Sequence, residues 1–99
     1  MFLGIDLGTS NCTVVLFDAD GCERASARRG YALERHSAGR AEADPERWWT
    51  VTAEAVEAVV ASREVDPGAI EAVGITGLAT GYVPLDASGT PLRSVILSF

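Results

Sequence analysis

The sequence predicts an α/β domain built on a mixed sheet, and three observations carry that expectation. The first 35 residues alternate apolar runs with two short polar turns, an Asp-Pro pair then opens an amphipathic helix, and a strand follows that helix. At 99 residues the chain buries one modest core, and a deep cleft with two walls would need a second wall from elsewhere.

The first 35 residues read as three strands, Phe2 to Leu7, Cys12 to Asp18 and Cys22 to about Leu33. Gly8-Thr9-Ser10-Asn11 and Asp18-Ala19-Asp20-Gly21 separate them, so the unit is a meander. The second strand, with Thr-Val-Val-Leu-Phe, is apolar on both faces and is expected at the centre, whereas Glu23, Arg24, Arg28 and Arg29 make the third a solvated one. Residues 36–43, rich in Ala, Gly and charge, read as a loop.

Asp44-Pro45 supplies an N-cap side chain followed by proline at the first helical position, and Glu46 follows where the helix dipole favours an acid. The helix is expected to run to about Ser62, packing through Trp49, Thr52, Val56, Val59 and Val60, with Arg47, Thr50, Glu54 and Glu57 wet. Asp66-Pro67-Gly68 repeats the start for a single turn before Ile70 to Thr76 returns as a strand that Gly77 breaks. A right-handed crossover places that strand parallel to the first. A C-terminal hairpin follows: Tyr82 to Leu85, a turn at Asp86-Ala87-Ser88-Gly89, and Leu92 to Leu97. The likeness of the two Asp-x-x-Gly turns reflects turn chemistry, and no internal repeat is expected. Because Val95-Ile96-Leu97 brings an apolar strand to Phe99, the sequence reads as the N-terminal fragment of a longer protein.

With 47% hydrophobic and 22% charged residues the chain is neither disordered nor collagen-like. Eight basic against 14 acidic residues give a net charge of −6, the wrong sign for holding nucleic acid. Every basic residue is Arg, which excludes a G-x-x-x-x-G-K-[ST] phosphate loop and a Schiff-base lysine within these residues. The start meets Asp6 before an apolar signal region forms, and no run reaches membrane-spanning length, so a cytoplasmic, non-membrane protein is expected. Cys12 and Cys22 fit neither a disulfide framework nor a metal site with His36, and two reduced, partly buried thiols are expected.

The chemistry concentrates after the first strand. Gly8 lets a ligand approach the backbone, Thr9, Ser10 and Thr13 offer hydroxyl protons to phosphate oxygens, and Asn11 supports the turn. Asp6 would repel a phosphate without an intervening cation, so its natural role is to hold Mg²⁺ or its waters. The expected site is therefore a nucleotide with its metal.

The run Leu3-Gly4-Ile5-Asp6-Leu7-Gly8-Thr9-Ser10-Asn11-Cys12-Thr13-Val14-Val15-Leu16-Phe17-Asp18 resembles the first phosphate motif of the actin, heat-shock chaperone and sugar-kinase superfamily. The resemblance implies a ribonuclease-H-like (actin-like ATPase) domain. Asp44-Pro45-Glu46-Arg47-Trp48-Trp49, Ile70 to Gly77 and Val83 to Arg93 with Ile96-Leu97 are similar in order and spacing to FGGY-family carbohydrate kinases. The match covers nearly the whole of residues 1–99 and implies the incomplete N-terminal part of the first of two domains. It implies transfer of the γ-phosphate of MgATP to a pentulose-like sugar or polyol, with a catalytic base beyond Phe99 and residues 1–99 inactive alone.

Family members usually carry Lys or Arg where this chain has Thr13, so the resemblance implies that the basic contact near the transferred phosphate is missing here or comes from elsewhere. The xylulose kinase branch reads Gln-Met-His-Gly where this chain has Leu78-Ala79-Thr80-Gly81, so no histidine reaches the sugar here, and Ser98-Phe99 look more like L-xylulose kinase-like members. Thr76, Gly77, Leu78, Ala79 and Thr80 end a strand where open α/β sheets place ligands, and with the resemblance they form the expected sugar contact. Trp48 and Trp49 are expected to pack, His36 to be solvated, and Arg24, Arg28, Arg29, Arg35 and Arg40 to form a solvated face offset by nearby acids. Two other readings stand beside the kinase: a non-catalytic nucleotide-binding or interaction protein of the same superfamily, and a structural fragment whose open edges favour a homodimer.

Overall fold

The computed structural model describes residues 1–35, 40–62, 65–79 and 81–98. The meander forms as the apolar pattern dictates. Strands β1 (Phe2–Leu7), β2 (Asn11–Phe17) and β3 (Glu23–Gly30) pair antiparallel in sequence, with a register shift between Leu16 and Phe17. The apolar β2 is central and the polar β3 is an edge. β3 ends at Gly30, short of the expected Leu33, because Tyr31 leaves the ladder: its amide donates to Ser10 O (3.0 Å) and its ring turns inward, leaving it only 7% exposed.

Both turns of the Asp-x-x-Gly type close in the same way. Gly21 and Gly89 take positive φ (80° and 85°), and their amides donate to Asp18 O and Asp86 O, each at 3.1 Å. Asp18 Oδ1 accepts from the amides of Asp20 and Cys22, and Asp86 Oδ1 from those of Ser88 and Thr90. Hydrogen bonds hold both carboxyls below the usual carboxylate range, led by the Cys22 amide for Asp18 and by the Ser88 hydroxyl, 2.7 Å from Oδ1, for Asp86.

Helix α1 (Pro45–Val60) starts as expected, with Asp44 accepting from Glu46 N (3.0 Å) and proline in the first turn. Asp44→Ala should therefore cost about 1 kcal/mol, read as a lower urea midpoint at unchanged slope. The helix ends two residues before Ser62. Its packing stripe is also rotated from the expected one: Val51, Ala55 and Val59 are fully buried, while Trp49 is 71% exposed. The small Val and Ala side chains let the helix axis approach Leu3, Cys12, Val14 and Leu16, which leaves the larger Trp49 outside that contact. Cys12 is buried there and Cys22 is exposed, so the two thiols differ where both were expected half-buried.

A 3₁₀ turn (Pro67–Ala69), capped by Asp66, leads into β6 (Ala72–Gly77), which lies parallel to β1 from Phe2↔Ala72 to Leu7↔Gly77. The first sheet thus runs β3-β2-β1-β6. Because α1 packs over β1, β2 and β3, Val73 and Ile75 of β6 remain exposed (53% and 71%).

A second sheet, of order β4-β5-β8-β7, was not expected. It joins β4 (Glu34–Arg35), β5 (Arg40–Ala43), β7 (Gly81–Tyr82) and β8 (Val95–Ser98). The expected C-terminal hairpin is present as β7 paired with β8 and a bridge between Leu85 and Pro91. The correction concerns residues 40–43, read as loop, which form the inner strand β5 against β8. Ala41 and Ala43 alternate inward against Val95 and Leu97, while Glu42 faces out and binds Arg93 at 2.7 Å. Trp48 packs against both cores, and its Nε1 is buried without a hydrogen-bond partner among the described residues. His36 lies outside the described residues. Among the described residues, no helix is long and apolar enough to cross a membrane.

Candidate functional site

The face of the first sheet opposite α1 is an open trough of about 520 Å³ lined by Gly4, Asp6, Thr13, Val15, Phe17, Gly74 and Thr76 with edges of Ile5 and Ile75. Strand alternation sorts these residues. Leu3, Ile5 and Leu7 turn toward α1, so Gly4 and Asp6 turn away; on β2, Cys12, Val14 and Leu16 go inward, and Thr13, Val15 and Phe17 outward. Glycine at 4 and 74 keeps the floor low, and a Cβ at Gly74 would meet nothing within 4 Å.

Register brings three of the sequence-selected residues into one row. Thr13 of β2 pairs with Asp6 of β1, which pairs with Thr76 of β6. Thr13 was expected at a phosphate, Asp6 at the metal and Thr76 at a sugar, and they are cross-strand neighbours about 5 Å apart. The row lies at the carboxyl ends of the parallel pair β1/β6, where the 8–11 turn begins. Asp6 and Thr76 are exposed, Thr9 and Thr13 half-buried. The side chains of Asp6, Thr9, Ser10, Thr13 and Thr76 have no hydrogen-bond partner among the described residues.

The turn itself is built from the backbone. Gly8 N donates to Asn11 O (2.9 Å), and a Cβ on Gly8 would approach that oxygen to 3.2 Å, so a side chain there would crowd the turn by a few tenths of an ångström. Asn11 supports the turn through this carbonyl. Sequence reasoning missed the residue that holds the turn from below. The Tyr31 hydroxyl donates to Gly8 O and also lies 3.2 Å from Asn11 O, and its ring meets Trp48 at a centroid distance of 5.9 Å. Burial, with smaller contributions from Cys12 and Asp6, pushes the Tyr31 hydroxyl up to about 12, so it stays a donor. The signal available in sequence was a tyrosine directly after a polar strand, which by itself carries no partner.

The remaining selected residues separate. Gly77 pairs with Leu7, and a Cβ there would come within 3.3 Å of Leu7 O, so its bareness serves the junction of β1 and β6. Leu78 packs against the core of the second sheet, Ala79 is exposed, and Thr80 lies outside the described residues. The expected offset of the arginines by acids holds for Arg24, which binds Asp18 at 2.6 Å, but Arg28 has no ion-pair partner among the described residues.

The donor set also bears on a metal. No group of three His, Cys, Asp or Glu is close enough to hold an ion among the described residues, which leaves a lone carboxylate beside hydroxyls and an open trough. That suits Mg²⁺, which keeps several waters and takes one or two carboxylates plus phosphate oxygens, and does not suit Zn²⁺ or an all-protein Ca²⁺ cage.

The chain is similar to known proteins along nearly its whole length. Xylulose kinase from Escherichia coli strain K12 is 35% identical over 97 residues, 98% of this chain and 20% of that protein. Xylulose kinase from Staphylococcus epidermidis is 32% identical over 95 residues, 96% of this chain and 19% of that protein. Among solved structures, a xyloylose kinase from Brucella ovis superposes with a TM-score of 0.88 at 34% identity, covering 96% of this chain and 20% of that one. The chain therefore spans about one fifth of the length of the curated relatives it matches. The profile of the N-terminal domain of one family matches all of residues 1–99, and with it the chain belongs to the FGGY family of carbohydrate kinases.

Proposed function

We propose that residues 1–99 form the N-terminal part of the first domain of a cytoplasmic kinase that transfers the γ-phosphate of MgATP to a hydroxyl of a pentulose-like sugar or polyol. The observation that carries this reading is the row Thr13–Asp6–Thr76, whose polar side chains have no hydrogen-bond partner among the described residues and adjoin a backbone-rich turn. In the transfer, a bond forms between the sugar oxygen and the γ-phosphorus as the bond from that phosphorus to the ADP oxygen breaks. The hydroxyl proton leaves to a base outside this chain. Mg²⁺ supplies neutralisation of phosphate charge when bound.

On this reading the chain's own residues position and solvate. Asp6 holds the cation or its waters, while the Gly8–Asn11 backbone and the hydroxyls of Thr9, Ser10 and Thr13 line the phosphates. Thr76, at the end of its strand in the row of Asp6, borders the sugar. A non-catalytic binding protein is less favoured, because the sequence match runs to sugar kinases along the whole chain.

The test is a coupled ADP-release assay on the complete protein with MgATP and a panel of pentuloses, hexuloses and polyols. Sugar-dependent ADP release is expected for a pentulose-like acceptor. ATP binding with no acceptor-dependent turnover across the panel would favour the non-catalytic reading instead.

A further inference from the structure

We infer that Arg28 of β3 is a phosphate-binding residue of this site, supplying positive charge from the strand beside Thr13. The inference rests on the kinase reading above and names a residue that reading does not use. Arg28 is the register partner of Thr13, which pairs with Asp6, so the row of the site extends to Arg28–Thr13–Asp6–Thr76. Ala27 packs toward α1, and alternation turns Arg28 to the trough face. Two strand spacings, about 10 Å, separate the backbones of Arg28 and Asp6, a gap that a long arginine and a phosphate between them fill.

Of the other arginines whose side chains are described, two are held by acids and two lie off the trough face. Arg24 binds Asp18, Arg93 binds Glu42, and Arg47 lies on the exposed side of α1. Arg29 has the opposite alternation from Arg28, with Cys12 as its register partner. Arg28 is exposed, has no ion-pair partner among the described residues, and its register neighbours along the trough face, Thr13 and beyond it Asp6, leave it facing the site's single carboxylate across a threonine. A polyphosphate approaching a chain of net charge −6 needs local positive charge, and a guanidinium offers paired donors matched to phosphate oxygens.

The decisive experiment moves the charge across the strand in the complete kinase. Arg28→Gln should lower kcat/KM for MgATP by roughly 10- to 100-fold, the range for losing a hydrogen bond to a charged group. Adding Thr13→Arg to that variant should recover most of the loss, and Arg28→Lys should retain part of the activity with native thermal stability. A merely structural role for Arg28 would not be rescued from position 13. Activity of Arg28→Gln within twofold of wild type overturns the inference and leaves the kinase reading standing. If the wild type binds MgATP but turns over no sugar, calorimetry decides: Arg28→Gln should weaken MgATP at least about tenfold and leave adenosine unchanged, and equal MgATP affinity overturns the inference. If the wild type binds no MgATP, the kinase reading and the inference fall together.

Discussion

Asp6→Asn in the complete enzyme is expected to lower kcat by at least about 10³-fold, equivalent to about 4 kcal/mol of transition-state stabilisation, while leaving the fold intact. The substitution is nearly isosteric, and Asp6 is exposed on β1 with no hydrogen-bond partner among the described residues, so no described hydrogen bond or ion pair is lost with its charge. What it removes is the only carboxylate lining the trough among the described residues, the group suited to hold a divalent cation against phosphate. The apparent Mg²⁺ requirement should rise along with the loss of turnover, and the thermal midpoint should stay within about a degree. Turnover within tenfold of wild type would remove Asp6 from the site.

The second large effect concerns Tyr31. Tyr31→Phe deletes the hydroxyl that donates to Gly8 O, beside Asn11 O, and should cost about 1–2 kcal/mol at neutral pH. Tyr31→Ala should cost about 3–5 kcal/mol, because the ring is buried against Trp48 and the core below the turn. In Tyr31→Phe the 8–11 turn is freed from its anchor, so KM for MgATP should rise more than kcat falls. The alkaline dependence has a definite sign. A tyrosine raised from 10 to about 12 in the folded state contributes stability that is complete below pH 10 and is lost as pH rises through about 12. Wild type should therefore lose up to about 2–3 kcal/mol between pH 10 and 12 on this account, and Tyr31→Phe should not. Parallel urea titrations of the two proteins across that interval check it, and identical slopes would contradict the buried clamp.

The first sheet was legible in the sequence because each of its signals is local and redundant. β2 carries apolar residues on both faces and is central, β3 carries charge and is an edge, and Asp44-Pro45 marks the helix start. The second sheet was not legible. Arg40-Ala41-Glu42-Ala43 does alternate, but alanine buries little area and is a poor strand former, so its placement comes from β8 and from Trp48, more than 50 and about five residues away. The helix stripe was misjudged for a related reason: Trp49 is the more hydrophobic choice by composition, yet close approach to the sheet favours Val51 and Ala55.

The candidate site divides in the same way. The sequence by itself determined which chemistries are present: a carboxylate, three hydroxyls and a glycine-opened turn within eight residues, and a strand end at Thr76, because residue type and short spacing are properties of the chain. Only the tertiary structure decided that Thr76 and Arg28 stand in the row of Asp6 and Thr13, that Leu78 belongs to a core, and that Tyr31 carries the turn. Those placements depend on parallel and antiparallel register across strands up to 70 residues apart, and register is set by the summed packing of both faces of the sheet and by no single local signal.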